Sequence, residues 1–384
     1  MKSRVLVFTL LFVSLSFGQA KADYSAIDIY ISKIPTSATV STASIANYIQ
    51  SKYTTPDEKI RAVFYWTTAN ISYDVANRIA LQQEQLLEDR IAITLKTRKG
   101  VCKNYAEVFT DLANKLGVET VVVRGYTKQN GVVGRIPHAW CASKIGAKWY
   151  LFDPTWAAGY IDGGQFKKRV RDTYYKLQPE EMIASHMPYD YLWQFISNPI
   201  TNAEFTTGKM LPSKIKKYID FNQEIFKAYS LGEEEQLLAS SNRIKENGVT
   251  NSMISDILSY NDSRIKYLRE SESLEKLNFI LKKYNEGVAE LNQFIAFKNR
   301  QFKPVKNDQT LISMILSPYD KLVWCQKSLS SVGSLSEPNR SSVIGLQSSL
   351  KVALQMTIEH KNFVYQYVEK SPISRNKMFY KSVY

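Results

Sequence analysis

Three residues in this chain could together perform acyl transfer: Cys102, His138 and Asp153. Cys102 follows Lys99-Gly100-Val101 and opens a segment of helical periodicity. At such a position unpaired backbone N–H groups and the positive end of the helix dipole stabilise a thiolate. Gly100 permits a sharp turn into that helix, and Arg98, Lys99 and Lys103 add positive potential. A lone cysteine is more often a small buried hydrophobe than a nucleophile, so the assignment depends on a proton partner. His138 stands at the start of a predicted strand, Ala139 to Lys144, and Asp153 closes the neighbouring one. Adjacent antiparallel strands would bring imidazole and carboxylate within hydrogen-bonding reach, which supplies nucleophile, base and orienting acid. Taken singly, His138 reads equally as solvent-facing and Asp153 as an N-cap ahead of Pro154.

The elements that must position this trio are legible nearby. Thr55-Pro56-Asp57-Glu58 has the form of a helix start, with an N-cap, a proline at the first helical position and a capping glutamate. Ile60, Val63, Phe64 and Thr67 then share a face, which predicts a helix to about Asn70. From Cys102, residues Ala106, Phe109, Ala113 and Leu116 form a second apolar face, stopped by Gly117. Strands are predicted over Glu119 to Tyr126, Ala139 to Lys144 and Lys148 to Phe152, with Ile145-Gly146-Ala147 as a tight connection. A helix followed by an antiparallel sheet is an α+β arrangement. Beyond about Pro199-Ile200 strand signals nearly vanish. Amphipathic stretches over Ile265 to Tyr284, Val288 to Phe302 and Ser341 to Val368, punctuated by prolines 304, 318, 338 and 372, predict packed helical hairpins. The expected domains are therefore 23–200 and an all-α 201–384.

The N-terminus has a basic start, an apolar run from Val5 to Val13 and small residues around Ala20-Lys21-Ala22. This is the layout of a signal peptide over residues 1–22, so a secreted or periplasmic location is expected. No cysteine closely follows the apolar run, so a lipid anchor is not expected, and no later stretch reads as a membrane span. Three cysteines, Cys102, Cys141 and Cys325, are too few and too odd a number for a disulfide framework. At least one thiol stays free; Cys141 reads as a buried free thiol, with a disulfide to Cys325 as the alternative. The formal charge of +14 is scattered, with local groups at Lys167-Lys168-Arg169 and Lys214/Lys216/Lys217. No nucleic-acid motif accompanies it, which sets that partner class aside. His138, His186 and Cys102 lack compact ligand spacing, so neither a metal nor another cofactor is expected.

Three segments carry a resemblance: Lys99-Gly100-Val101-Cys102-Lys103-Asn104-Tyr105-Ala106, His138-Ala139-Trp140, and Trp149-Tyr150-Leu151-Phe152-Asp153-Pro154-Thr155-Trp156. They resemble the three motifs of the transglutaminase-like superfamily, in particular its kyphoscoliosis peptidase and hillarin subgroup. Arg61 to Trp66 with Asn70 to Asp74 is similar to the subgroup's first helix. Pro179 to Ile183, His186-Met187-Pro188 and Trp193-Gln194 are similar to its trailing motif. The resemblance covers about residues 55–200. It implies a papain-like core with Cys102 as nucleophile, His138 as general base and acid, and Asp153 orienting the histidine. The chain departs at Lys103-Asn104, where glycine before the tyrosine is more usual, and at Ala157. Both departures are expected to line the cleft.

Trp140 and Trp156 are expected at the substrate cleft, as walls of it or of the core. His186 reads as a structural hydrogen-bonding residue, and Tyr73 is a candidate oxyanion donor beside the Cys102 backbone N–H. The expected function is a cysteine peptidase, deamidase or transglutaminase-type acyltransferase working on a protein or peptide through a thioester. The alternative is a non-catalytic scaffold whose helical half meets a cell-envelope partner.

Overall fold

The computed structural model describes residues 23–77, 86–210 and 218–380. The segment expected to be a signal peptide and the Lys214/Lys216/Lys217 group lie outside the described residues. Two helices, α1 (Ser25–Ser32) and α2 (Thr42–Gln50), precede α3 (Pro56–Asn70). The start of α3 is the expected capping box: the Glu58 N–H donates to Thr55 Oγ1, and the Thr55 N–H donates back to the Glu58 carboxylate. Ile60, Val63, Phe64 and Thr67 are all fully buried. After α3 come β1 (Ser72–Tyr73), α4 (Leu87–Thr97), β2 (Lys99–Gly100) and α5 (Cys102–Lys115). Gly117 ends α5 with φ of 78°.

An antiparallel sheet follows, built from β3 (Thr120–Gln129), β4 (Val132–Val133), β5 (His138–Ile145) and β6 (Lys148–Phe152) in the order β4-β3-β5-β6. The β5–β6 connection is the expected tight one, with Ile145 opposite Lys148 and Gly146 at φ 64°. The chain then forms α6 (Pro154–Ala158), a hairpin of β7 (Gly159–Asp162) and β8 (Gln165–Lys168), α7 (Pro179–Met182), and β9 (His186–Pro188), which pairs with β3. Both sheet faces are covered. Cys141 and Phe152 pack with Phe64, Phe109 and Leu112 of α3 and α5. Trp140, Ala142 and Leu151 pack with Met182 and Leu192 on the other side. The core is thus α+β, with the cysteine-bearing helix packed on the sheet.

Among the described residues no strand follows Pro188. The remaining chain is helical: α8 (Asn202–Thr207), α9 (Phe221–Ser230), α10 (Glu233–Glu246), α11 (Ser252–Asn299), α12 (Asp308–Ser328), α13 (Glu337–Val368) and α14 (Pro372–Lys377). The two stretches expected on either side of residue 286 are one helix of 48 residues. Gly287 does not break it, because a side chain there would press on Leu322 at 3.3 Å, so the residue serves close packing. Pro318 likewise sits inside α12 instead of ending it. The chain divides into two compact units. One ends at Tyr229 and resumes over Asn242–Ser255; the other comprises Ser230–Ser241 and the residues from Asp256 onward. The first unit thus extends past residue 200. Asn202 accepts from the Tyr126 hydroxyl at 2.8 Å, and Arg243 pairs with buried Asp190 through two 2.8 Å hydrogen bonds. In the second unit Leu277 and Ile280 of α11 pack with Leu322 of α12 and Leu350 of α13. No described helix is long and apolar enough to cross a membrane.

Candidate active site

Cys102 is the first residue of α5, and two features shape the turn that precedes it. The Val101 N–H donates to Asn104 Oδ1 at 2.9 Å, and Asn104 packs so tightly on Gly100 that a Cβ there would lie 2.6 Å from the Asn104 Cβ. Only glycine fits, and Asn104 is buried as part of this turn. Neither Asn104 nor Ala157 therefore lines the cleft, contrary to expectation: both are buried, at 8% and 0% exposure. The Cys102 thiol is partly exposed, lies 3.9 Å from the Pro137 carbonyl and is near enough to His138 to favour its charged form. The expected positive surroundings are mostly engaged elsewhere. Arg98 Nη2 donates to Thr39 Oγ1 with its guanidinium over Trp66, and Lys103 faces Glu107 at 4.0 Å.

His138 opens β5, and its Nε2 donates to Asp153 Oδ2 at 2.7 Å. Asp153 is fully buried at the end of β6. Its other oxygen, Oδ1, accepts the backbone N–H groups of Thr155 at 2.8 Å and Trp156 at 3.0 Å. The two readings of Asp153 therefore hold together: one oxygen caps α6 and the other faces the histidine. Burial opposes charge on His138, but the Asp153 carboxylate outweighs it, and the imidazole is pushed up to about 10. Burial also works against the Asp153 charge. The field and hydrogen bonds of His138, supplemented by His186, overcome it and hold the carboxyl well below the usual carboxylate range.

His186, read from sequence as a structural hydrogen-bonding residue beyond the hairpin, bonds to the same carboxylate. Its Nε2 lies 3.1 Å from Asp153 Oδ2, brought there by the pairing of β9 with β3. The side chains of His138, Asp153 and His186 gather potential metal-ligand atoms within 4.8 Å, which the sequence spacing did not suggest. The contacts of 2.7 and 3.1 Å lie within hydrogen-bonding distance, so the carboxylate oxygen is shared by both rings. The arrangement is that of a twice-donated carboxylate.

A cleft of about 520 Å³ opens beside His138, lined among others by Tyr73, Trp156, Tyr160, Ile161, Phe166 and Arg171. Tyr73 is held there by the parallel pairing of β1 with β2, which sets it opposite Gly100. Trp156 is a cleft wall as expected. Trp140 takes the other expected place, the core: it is fully buried, stacked behind His138 at 6.1 Å, because its side of the sheet is covered by Met182 and Leu192. The β7–β8 hairpin supplies much of the cleft and has no counterpart in the sequence reading. Gly163-Gly164, a two-residue turn signal between Tyr160-Ile161 and Phe166, could have revealed it. Lys168, grouped from sequence with Lys167 and Arg169, anchors this hairpin by donating to the carbonyls of Thr68 and Ile71. Cys141 and Cys325 are both free and buried.

Residues 43–154 match the family model of the transglutaminase-like superfamily. Human kyphoscoliosis peptidase is 27% identical over 190 residues, covering 47% of this chain and 28% of that protein. The mouse protein of the same name is 30% identical over 156 residues, 38% of this chain and 23% of its own. Hillarin of Drosophila melanogaster is 25% identical over 194 residues, 45% and 23% respectively. The chain spans about a quarter of the length of these relatives.

Proposed function

We propose that the protein, whose residues 43–154 match the family model of the transglutaminase-like superfamily, is an exported cysteine-nucleophile enzyme acting on peptide or glutamine amide bonds. The observation that carries this reading is the 2.7 Å hydrogen bond from His138 Nε2 to the buried Asp153 Oδ2, with the partly exposed Cys102 thiol near enough to favour the charged form of His138. The imidazole of His138, held in its charged form by Asp153, carries the proton that the thiol gives up, and Cys102 Sγ attacks the amide carbonyl. As the carbon–nitrogen bond breaks, the imidazolium returns its proton to the departing amine and a thioester remains. Water or a second amine then attacks the thioester, giving hydrolysis, deamidation or cross-linking with the thiol restored. Asp153 holds the imidazole in place and offsets its charge, which is the work of the third member of a triad. The Cys102 backbone N–H and the Tyr73 hydroxyl are the donors assigned to the oxyanion. Trp156 and the aromatic side of the hairpin are assigned to the substrate chain. Export rests on the N-terminal layout alone, and the helical region is assigned to a cell-envelope partner.

The purified protein and a Cys102→Ala variant, incubated with a glutamine-containing peptide and a primary amine, provide the test. Mass spectrometry reads new chain ends, deamidation and amine incorporation. Any of these products, lost in Cys102→Ala, supports the enzyme. No product from either protein would leave the non-catalytic scaffold standing.

A further inference from the structure

A buried carboxylate is costly unless its charge is fully hydrogen-bonded, and an ionised one offers about four acceptor positions. Asp153 fills four: the N–H groups of Thr155 and Trp156 on Oδ1, and the Nε2 atoms of His138 and His186 on Oδ2. The first two come from the backbone of α6 and the third belongs to the reactive row. The fourth comes from β9, a strand distant in sequence, and the mechanism above does not use it.

His186 is itself 1% exposed. Its ring lies 4.6 Å from Trp156, 5.1 Å from Trp140 and 5.4 Å from Tyr174, and its Nδ1 lies 2.8 Å from Ser185 Oγ. A serine hydroxyl can donate to Nδ1, which leaves the ring proton on Nε2, facing Asp153. Resting on the reading of Cys102, His138 and Asp153 as the reactive row, we propose that His186 is a positioning residue of that row: a neutral donor that keeps Asp153 charged and aimed at His138.

Neutrality is what makes a histidine suited to the place. A lysine or arginine there would support the carboxylate but also cancel its charge, and His138 would lose the field that favours imidazolium. A neutral N–H supports the charge and leaves the field available. Burial, the largest influence on His186, holds its imidazole below the ordinary histidine value, and the nearby His138 charge acts in the same direction; Asp153 opposes them without reversing the result. The titratable neighbours that feel Asp153 are Cys141, Tyr105 and Tyr174 besides the two histidines, and Cys102 faces His138. Of these only His138 and His186 bond the Asp153 side chain.

The test uses the full chain with selectively ¹⁵N-labelled histidine; its three histidines give a readable spectrum. In the native protein the His186 ring should be neutral with its proton on Nε2 wherever the fold persists. A protonated His186, or one carrying its proton on Nδ1, would overturn the proposal whatever any variant does. His186→Gln keeps a neutral donor and His186→Phe fills the space without one. In folded His186→Phe the His138 transition should fall by about one pH unit or more, and in His186→Gln it should stay near the native value. Modification of Cys102 by an acylating probe should slow about tenfold or more in His186→Phe and recover in His186→Gln. A folded His186→Phe with an unchanged His138 transition would make His186 merely structural, and a His186→Gln that behaves like His186→Phe would remove the donor from the argument. Absence of acylation in the native protein would count against the reactive row alone, since the titration decides His186 without it.

Discussion

Gly125 lies so close beneath β9 that a Cβ there would stand 2.0 Å from the Met187 carbonyl oxygen and 2.7 Å from the Trp140 ring. Neither neighbour can yield cheaply, since one is strand backbone and the other a fully buried indole. Gly125→Ala must therefore push β9 outward and draw His186 from Asp153. We expect a loss of at least about 1–3 kcal/mol in urea unfolding, the range of an overpacked core. A variant as stable as the native protein would show that β9 has room to shift.

The buried pair sets a pH dependence of stability. His138 titrates near 10 when folded against an ordinary 6.5, so its stabilisation is complete below about 6.5 and is lost as pH rises toward 10. Asp153 is held below its ordinary 3.8, so its stabilisation is present above that value and is lost on acidification. His186 is held below 6.5, so in acid the unfolded chain takes up a proton that the folded one refuses, and stability falls further. Native protein should be more stable at about pH 6 than at about pH 9, and Asp153→Asn should flatten that decline. An undiminished decline in Asp153→Asn would place its origin elsewhere.

The three thiols should differ in the folded protein. Cys102 is partly exposed, whereas Cys141 and Cys325 are fully buried and burial pushes both thiols up. Iodoacetamide should modify Cys102 alone until the protein is unfolded, with sites identified by peptide mass mapping. Modification of Cys141 at a comparable rate under native conditions would contradict the packing of β5 on α5.

Chain beyond residue 200 contributes to the first unit. Arg243 is the partner of Asp190, whose carboxylate is 3% exposed as a residue and also caps the turn at Leu192. Arg243→Met leaves that charge buried and unpaired, and we expect a cost of about 3 kcal/mol or more in urea unfolding. Asp190→Asn combined with Arg243→Met should recover part of it. Equal stability of Arg243→Met and the native protein would separate this segment from the site-bearing core.

What the sequence made legible was local. The capping box at Thr55, the stop at Gly117 and the turn at Gly146 are each written within a few residues, and the structure has them where expected. The proximity of His186 to Asp153 was not legible, because it depends on a three-residue strand with no periodicity of its own, docked on β3 through Gly125. Whether Trp140 belongs to the core or to the cleft was not legible for a different reason. Alternation along β5 separates Trp140 from Cys141, but both faces of the sheet are covered, so apolar residues on either side carry no sign of which one is open. The cleft wall built by β7 and β8 was missed because only a pair of glycines marks the turn.

The central claim is that Cys102, His138 and Asp153 act as one acyl-transfer unit. Intact-mass spectrometry after exposure to a thiol-directed acylating probe tests it most directly, applied to the native protein and to Cys102→Ala, His138→Ala and Asp153→Asn. The account predicts a single adduct on the native protein, none on Cys102→Ala or His138→Ala, and formation slowed by a factor on the order of 10⁴ in Asp153→Asn, as in a serine triad. An adduct on folded His138→Ala at the native rate, or none on the native protein, would contradict it.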